Sequence, residues 1–215
     1  MATAQINPTR MELTRLKKKL ATAQRGHKLL KDKRDELMRQ FLDMAKLNRE
    51  LRVKVEKAIK DANKNFVLAG ASMSDQSLSV ALLAAKQEVY LDLSFKNVMS
   101  VDIPKYSVKT RTSDENDIYS YGLAFTSADL DDAVASLSSV LPDMLRLAEI
   151  EKSCQLMAAE IEKTRRRVNA LEHVMIPQTQ ANIRYITMKL DENERATQTR
   201  LMKVKDMVLQ KAHGY

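Results

Sequence analysis

Two stretches of this chain, one near each terminus, repeat apolar residues at alternating steps of three and four positions. A period of 3.5 residues places these side chains on one seam of a helix, and that seam has to pack against a second helix. The first stripe comprises Leu13, Leu16, Leu20, Ala23, Leu30, Leu37, Phe41, Met44, Leu51, Val55, Ala58 and Ala62, and the second Leu147, Ile150, Cys154, Met157, Ile161, Val168, Leu171 and Met175.

The two seams can bury each other if the middle of the chain reverses its direction. The sequence therefore predicts a mainly α protein, a long two-helix antiparallel left-handed coiled coil with a small insert that contains a short β-hairpin. At a rise of roughly 1.5 Å per residue the paired region would extend about 75 Å. The composition agrees with long helices, because 4 Gly and 4 Pro among 215 residues allow few turns.

The pattern predicts three segments. An N-terminal coiled-coil helix covers residues 1–70, an acidic insert with a short helix and a hairpin covers 71–126, and a C-terminal coiled-coil helix covers 127–215. Pro142 and Pro177 are expected to kink or restart that last helix. Beyond Pro177 the stripe is predicted to resume with Ile186, Leu190, Leu201, Val204 and Val208.

Helix signals mark the ends of the first segment. Thr9 and Glu12 have the spacing of a capping box, in which the threonine caps the helix and the glutamate reaches back. Gly70 is a natural C-terminal stop, so the first helix is expected to end close to it.

The insert shows strand patterns of period two. Apolar residues alternate with polar ones from Val89 to Phe95. We expect a turn at Lys96-Asn97 and a returning strand from Val98 to Ile103, which ends before Pro104. Residues 109–117 are polar and predict a mobile loop. A second, shorter alternation follows with Tyr119, Tyr121, Leu123 and Phe125.

Charge is unevenly distributed, which bears on partners more than on fold. Residues 10–60 hold 17 Lys and Arg against 7 Asp and Glu, whereas residues 70–135 hold 5 against 10. The chain lacks an apolar run of the ~20 residues that a membrane span needs, and because its first residues contain no apolar core region we expect no secretory leader. These features predict a cytoplasmic protein, or one peripheral to the cytoplasmic side of a membrane.

No residue pattern predicts chemistry of the chain's own. Three histidines and one cysteine offer no metal-ligand spacing, and neither a Gly-rich phosphate loop nor a nucleophile elbow is present. Cys154 lies on the seam and is expected to be a small buried hydrophobe. We therefore predict no catalytic, cofactor-binding or metal-binding residues.

Polar residues interrupt the apolar stripes. A polar seam residue disfavours slipped pairings, so these residues are predicted to fix the helix register. A functional site at His27 is the alternative. In an antiparallel pair, His27 and Arg34 are expected near Glu172, Gln178 and Asn182. The predicted register residues are His27, Arg34, Asn48, Gln178 and Asn182.

Two dense basic clusters, Lys17 to Lys19 and Arg165 to Arg167, lie on the predicted helices. They are consistent with a solvated helix face that carries intrahelical ion pairs. They are equally consistent with contacts to an acidic partner or to phosphates. Charge alone leaves both interpretations open.

Four strings resemble the D subunit of V-type, or archaeal-type, rotary ATPases. They are Asn7 to Leu13, Arg25 to Lys33, Thr164 to Glu172 and Glu192 to Arg195, and together they bracket nearly the whole chain. The resemblance implies a non-catalytic rotor axle in the central stalk, which couples ATP hydrolysis or synthesis to H⁺ or Na⁺ translocation. It also implies three partners: a hexamer of catalytic and regulatory A and B subunits, the small F stalk subunit, and an adaptor on the membrane rotor. Nucleotide would bind to the ring and not to this chain.

Within that resemblance, charge and position suggest which side chains touch the ring. Exposed ion pairs of ~0–1 kcal/mol each suit a shaft that must turn inside its bearing. The candidate ring contacts are Arg15, Lys19, Arg165, Arg166 and Arg167, and the candidate contacts of the insert are Tyr90, Phe95, Tyr119 and Tyr121.

Two other classes of function compete with the axle. A basic coiled-coil module could bind nucleic acid, but aromatic residues make up only 5% of the chain and no base-stacking platform is visible. A coiled-coil scaffold would pair each seam with its copy in a second chain. The first would show salt-dependent binding to DNA or RNA, and the second would form a stable dimer.

Overall fold

The computed structural model describes residues 7–84, 86–112, 114–122 and 126–214, apart from the side chains of residues 115, 116 and 213. The described chain is mainly helical with one small two-stranded sheet, which confirms the predicted fold class. The elements in chain order are α1 Arg10–Ser72, α2 Asp75–Ala81, β1 Val89–Val98, β2 Val101–Thr110, a 3-10 turn Glu115–Ile118, α3 Ala128–Ala170, a π-helical turn Leu171–Met175 and α4 Ile176–His213.

The sequence signals at the two ends of α1 have different outcomes. Thr9 caps the helix as predicted, because its side-chain oxygen accepts a hydrogen bond from the Glu12 amide at 3.2 Å. The helix ends at Ser72, close to the predicted end at Gly70. Gly70 itself is not the C-terminal cap, because it lies within α1 and none of the described glycines has a positive φ.

The chain divides into two compact units. The first combines Met1–Arg34 with Lys163–Tyr215, and the second is the continuous stretch Asp35–Glu162. The first unit therefore contains the start of α1, the end of α3, the π-helical turn and α4. The second contains the rest of α1, most of α3, α2 and the hairpin.

The first unit is an antiparallel helix pair. Arg10 at the start of α1 forms an ion pair with Glu194 of α4, whereas His27, further along α1, meets Glu172 of the π-helical turn. A higher residue number on α1 is therefore paired with a lower residue number on its partner, which is the antiparallel arrangement. Each fully buried aliphatic side chain on this seam contributes roughly 1.5–3 kcal/mol. The buried residues are Leu16, Thr164, Val168, Thr179 and Ile186.

The second unit has its own antiparallel helix pair. Lys54 of α1 contacts Asp143 of α3 at 2.7 Å, and Arg52 contacts Glu151 at 3.7 Å. Two apolar clusters hold this unit together, one where the hairpin turn meets α1 and α3, and one where α2 meets the end of α1 and the start of α3. The buried members are Leu37, Val101, Met157 and Ile161 in the first, and Ala69, Ala81 and Leu130 in the second.

The two prolines of the C-terminal helices have different effects. Pro142 lies inside α3, which continues through it, so the helix does not restart there. Pro177 lies in the first turn of α4, directly after the π-helical turn. In a regular α-helix its ring would clash with the carbonyl of His173, and a π-helical turn relieves that contact.

The π-helical turn shifts the buried positions of the following helix by one residue, because it contains one residue more than an α-helical turn. Met175 and Gln178, which the heptads place on the seam, are exposed, whereas Ile176 is half-buried and Thr179 is buried. Every residue of the N-terminal stripe from Leu13 to Ala62 is buried or half-buried, as predicted.

The hairpin turn lies later in the chain than predicted. Lys96 and Asn97 belong to β1, and the turn is Met99-Ser100, with φ of 52° and 71°. Both values are typical of the type I′ turn that joins antiparallel strands. Methionine does not favour a positive φ. Met99 packs against the first apolar cluster, and this contact stabilises the turn conformation.

Pro104 does not end the returning strand. It lies inside β2, opposite Phe95. The ladder hydrogen bond from the Arg111 amide to the Glu88 carbonyl, at 2.9 Å, fixes the alternation of paired and unpaired amides along both strands. By this alternation position 104 points its backbone nitrogen out of the ladder, so proline removes no hydrogen bond there.

The stretch predicted as a mobile loop is partly ordered. Residues 109 and 110 complete β2, and Glu115–Ile118 forms a 3-10 turn. Lys86 forms an ion pair with Asp117, and the hydrogen bond from that lysine lowers the pKa of the Asp117 carboxyl. Leu123 and Phe125, from the second predicted alternation, lie outside the described residues.

Candidate interaction surfaces

The basic residues suggested as ring contacts are all exposed on the first unit. Thr164 and Val168 are buried one helical turn apart on α3, so the arginines between them occupy its outer arc. Arg15 remains 79% exposed although it contacts Glu12 at 3.5 Å. The structure thus leaves this charge in solvent, where a surface of opposite sign can reach it. The exposed basic residues suggested as ring contacts are Arg15, Lys19, Arg165, Arg166 and Arg167.

Four of the predicted register residues lie in the first unit and one, Asn48, lies in the second. His27 lies on the seam, with its Nε2 atom 3.4 Å from a carboxylate oxygen of Glu172, the neighbour expected for it. Arg34 and Asn182 are half-buried, and Gln178 is exposed. In the second unit Asn48 is half-buried as well, and its side-chain oxygen has no hydrogen-bond partner among the described residues.

The four aromatic residues suggested as contacts of the insert do not form one surface. Tyr90 and Phe95 are both exposed, but their positions in β1 place them on opposite faces of the hairpin. Tyr119 and Tyr121 are half-buried and meet edge to face, with ring centroids 6.2 Å apart. The Tyr121 hydroxyl donates to Asp131 at 2.7 Å, and burial together with this bond raises the pKa of the phenol.

The last part of α4 is a surface that the heptad pattern does not predict. Leu201, Val204 and Val208 were expected on the seam but are exposed. The helix α1 begins at Arg10, which pairs with Glu194, so the described part of α1 has no residues opposite the rest of α4. We call residues 195–212 the bare end of α4. Its exposed apolar side chains are Leu201, Met202, Val204, Met207, Val208 and Leu209.

The described residues also bear on metal binding, membrane spans and thiol reactivity. They contain no group of three His, Cys, Asp or Glu side chains that could hold a metal ion. Among them, no helix is both long enough and apolar enough to cross a bilayer. Cys154 is buried, and this burial raises the pKa of its thiol, so the reactive thiolate is disfavoured.

Comparison with known proteins gives a family for this chain. Residues 12–206 match the family model described as the D subunit of ATP synthase. The D subunit of the V-type ATP synthase of Acetivibrio thermocellus is 60% identical over 215 residues, which is 100% of this chain and 97% of that protein. The corresponding protein of Clostridioides difficile is 60% identical over 99% of this chain and 95% of its own length, and that of Clostridium novyi is 59% identical over 97% of each.

These matches agree with the helical architecture and with a place in the central stalk of a V-type ATPase. The D subunit is a structural component of that complex and not a catalytic one. The matched region spans both units and the hairpin, so the resemblance is not confined to one helix. The chain belongs to the D-subunit family of V-type ATP synthases.

Proposed function

We propose that this chain is the rotor axle of a V-type ATPase. ATP hydrolysis in a hexamer of A and B subunits would turn it, and the rotation would drive H⁺ or Na⁺ through a membrane ring. Ion flow in the opposite direction would drive synthesis. In this proposal the chain sits on the cytoplasmic side of the membrane and also contacts the small F subunit and the adaptor on the membrane rotor.

The observation that carries this proposal is the contrast between seam and surface in the first unit. Its helices bury apolar residues such as Val168 and Ile186 between them, which resists separation under torque. Its outer arc instead presents exposed arginines, which form weak and solvated ion pairs. A shaft needs both properties, because it must stay intact while it moves past successive partners.

The bare end of α4 supports a position inside a ring. An apolar stripe on a helix that has no partner among the described residues marks a surface for another protein. Leu201, Val204 and Val208 follow the spacing of one helix face. In the proposed complex, the inner wall of the hexamer covers this face.

Mass measurement tests the proposal. We expect the chain alone to be a monomer and to join a purified V-type A and B hexamer at one copy per ring. A stable dimer that ignores the hexamer would instead indicate the scaffold. Salt-dependent binding to bare DNA or RNA with no affinity for the ring would indicate the nucleic-acid module.

A pair of triple variants tests the part played by the bare end. Leu201→Ser, Val204→Ser and Val208→Ser together should weaken hexamer binding by about tenfold or more, because truncation of central apolar contacts costs above 1 kcal/mol. The control is Leu29→Ser, Val53→Ser and Val67→Ser, which removes the same residue types from exposed positions of α1. Equal hexamer affinity of the two variants would contradict the assigned role.

A further inference from the structure

The two edges of the hairpin differ in what covers them. The ladder hydrogen bond between Arg111 and Glu88 implies that the amides of Leu91, Leu93 and Phe95 point away from β2. No described residue accepts a hydrogen bond from these three amides. The outer edge of β1 is therefore open along most of its length.

The edge of β2 is closed in its middle, at positions 104 and 106, by two devices. The Tyr106 amide points out of the ladder and donates to a carboxylate oxygen of Glu149 on α3 at 3.0 Å. Position 104, also directed outward, is a buried proline that has no amide to satisfy. Proteins usually protect an edge strand by such means, with a proline, a bulge, a charge or a covering element. The strand β1 has neither a proline nor a bulge, and its charged residues, Asp92 and Lys96, lie on the face opposite Leu91, Leu93 and Phe95.

The residues with open amides also form an exposed apolar stripe. Val89, Leu91, Leu93 and Phe95 lie on one face of the hairpin, together with Val108 of β2. All five are exposed, and Phe95 is exposed by 69%. An alternating strand normally turns its apolar face to the core, so an apolar face in solvent indicates that another protein covers it.

The opposite face of β1 carries a charge that has no ion-pair partner among the described residues. Asp92 is compensated, because Lys109 contacts it at 2.5 Å from the neighbouring strand. Lys96 is exposed, and no carboxylate of the described residues lies within ion-pair distance of it. A strand placed beside β1 would bring one of its own residues next to Lys96, and a carboxylate there would complete the pair.

We infer that an extended segment of a neighbouring subunit adds to β1 as the third strand of this sheet. That segment has apolar residues at alternate positions, which pack beside the stripe from Val89 to Phe95 and extend it on the same face. Its other face carries an Asp or Glu beside Lys96. Backbone hydrogen bonds supply affinity in such strand addition, and the alternate side chains supply specificity. This inference rests on the proposed function, since it takes the partner from the same complex.

Amide hydrogen exchange at residue resolution tests the inference. The chain is measured alone and in the V-type complex assembled from purified subunits. The amides of Leu91, Leu93 and Phe95 should exchange rapidly in the chain alone and at least about tenfold more slowly in the complex. The amides of Asp92 and Ser94 bond to β2 and should be protected in both states.

Two proline variants separate strand addition from packing on the apolar face. Leu91 and Val108 lie directly opposite each other, are 41% and 46% exposed, and both direct their amides out of the ladder. Leu91→Pro removes an amide from the open edge, whereas Val108→Pro removes one from the other edge and an equal part of the face. Only Leu91→Pro should abolish the protection of Leu93 and Phe95 in the complex. Ladder protection of Asp92 and Ser94 reports whether each variant still forms the hairpin.

Each other outcome overturns the inference in a distinct way. If the chain enters the complex and the outward amides still exchange rapidly, strand addition is wrong and the axle stands. If both proline variants lose protection equally, the partner packs on the face without pairing. Protection in the chain alone that rises with its concentration would mean that a second copy occupies the edge. A chain that does not enter the complex removes the proposed function itself.

Discussion

The two halves of α4 have a similar apolar repeat and opposite environments. Ile186 in the first half is fully buried against α1, whereas Leu201 and Val204 in the second half are 64% and 50% exposed. Both halves repeat apolar residues at helical spacing. Only the first half has α1 beside it, because α1 begins at Arg10, which pairs with Glu194.

This difference shows that a heptad stripe predicts an interface and leaves open which molecule supplies the other side. A buried half contributes to folding, whereas an exposed half is available for association. The hairpin repeats the lesson on a smaller scale, since the middle of the β2 edge is closed by its own chain and the β1 edge is open. In both places the exposed apolar surface marks where other subunits are proposed to bind.

Truncation of one residue in each half of α4 gives the largest expected effect. Ile186→Ala should lower the free energy of unfolding of the first unit by about 2–5 kcal/mol, because it leaves a cavity in a closed seam. Leu201→Ala, the matched variant in the bare end, should change it by less than about 0.5 kcal/mol. Urea unfolding followed by circular dichroism measures both. Similar losses would mean that the bare end is buried within the chain in solution.

Substitution of two buried threonines of the first unit should change the free energy of unfolding by smaller amounts and in opposite directions. The Thr179 hydroxyl donates to the carbonyl of Met175 at 2.7 Å, whereas the Thr164 hydroxyl is buried and has no partner among the described residues. Thr164→Val should therefore stabilise the unit by about 1 kcal/mol, and Thr179→Val should destabilise it by a similar amount. The same urea experiment applies. Stabilisation by both variants would show that the bond to Met175 contributes nothing.

Thiol reactivity gives the smallest effect and follows from pH. Burial and the charge of Glu151 raise the pKa of Cys154, so its thiolate fraction stays low until the pH exceeds the usual thiol value of about 8.5. A Cys154→Ala, Leu201→Cys variant has its only thiol on the bare end. At pH 8 it should react with a disulfide reagent at least about tenfold faster than the natural chain. Equal rates would place both thiols in similar environments.

The fold could be predicted because its signals are local and repeated. The N-terminal stripe, from Leu13 to Ala62, was predicted to be covered, and every residue in it is buried or half-buried. The pairing of His27 with Glu172 followed from an antiparallel arrangement of the two stripes. The family could also be predicted, since the strings that carry it are distinctive.

The positions that escaped prediction depend on contacts distant in the sequence. The turn at Met99-Ser100 lacks the glycine or asparagine that usually marks such a turn, and packing of Met99 against the helices helps to hold it. From the sequence, Pro104 predicted the end of a strand. In the structure it lies inside β2, at a position whose backbone nitrogen points out of the ladder and needs no partner. The roles assigned to the exposed arginines remain proposals, because exposure alone does not name a partner.

The sequence by itself determined that this chain forms long helices, that two of its stripes must be buried, and which family it belongs to. Periodicity and composition suffice for the first two conclusions because they act through the backbone and through the hydrophobic effect. Only the tertiary structure decided where the stripe of α4 stops being covered, how the π-helical turn before Pro177 shifts its register, and which hairpin edge stays open. Those features depend on which residues lie opposite one another, and spacing along one chain does not contain that information.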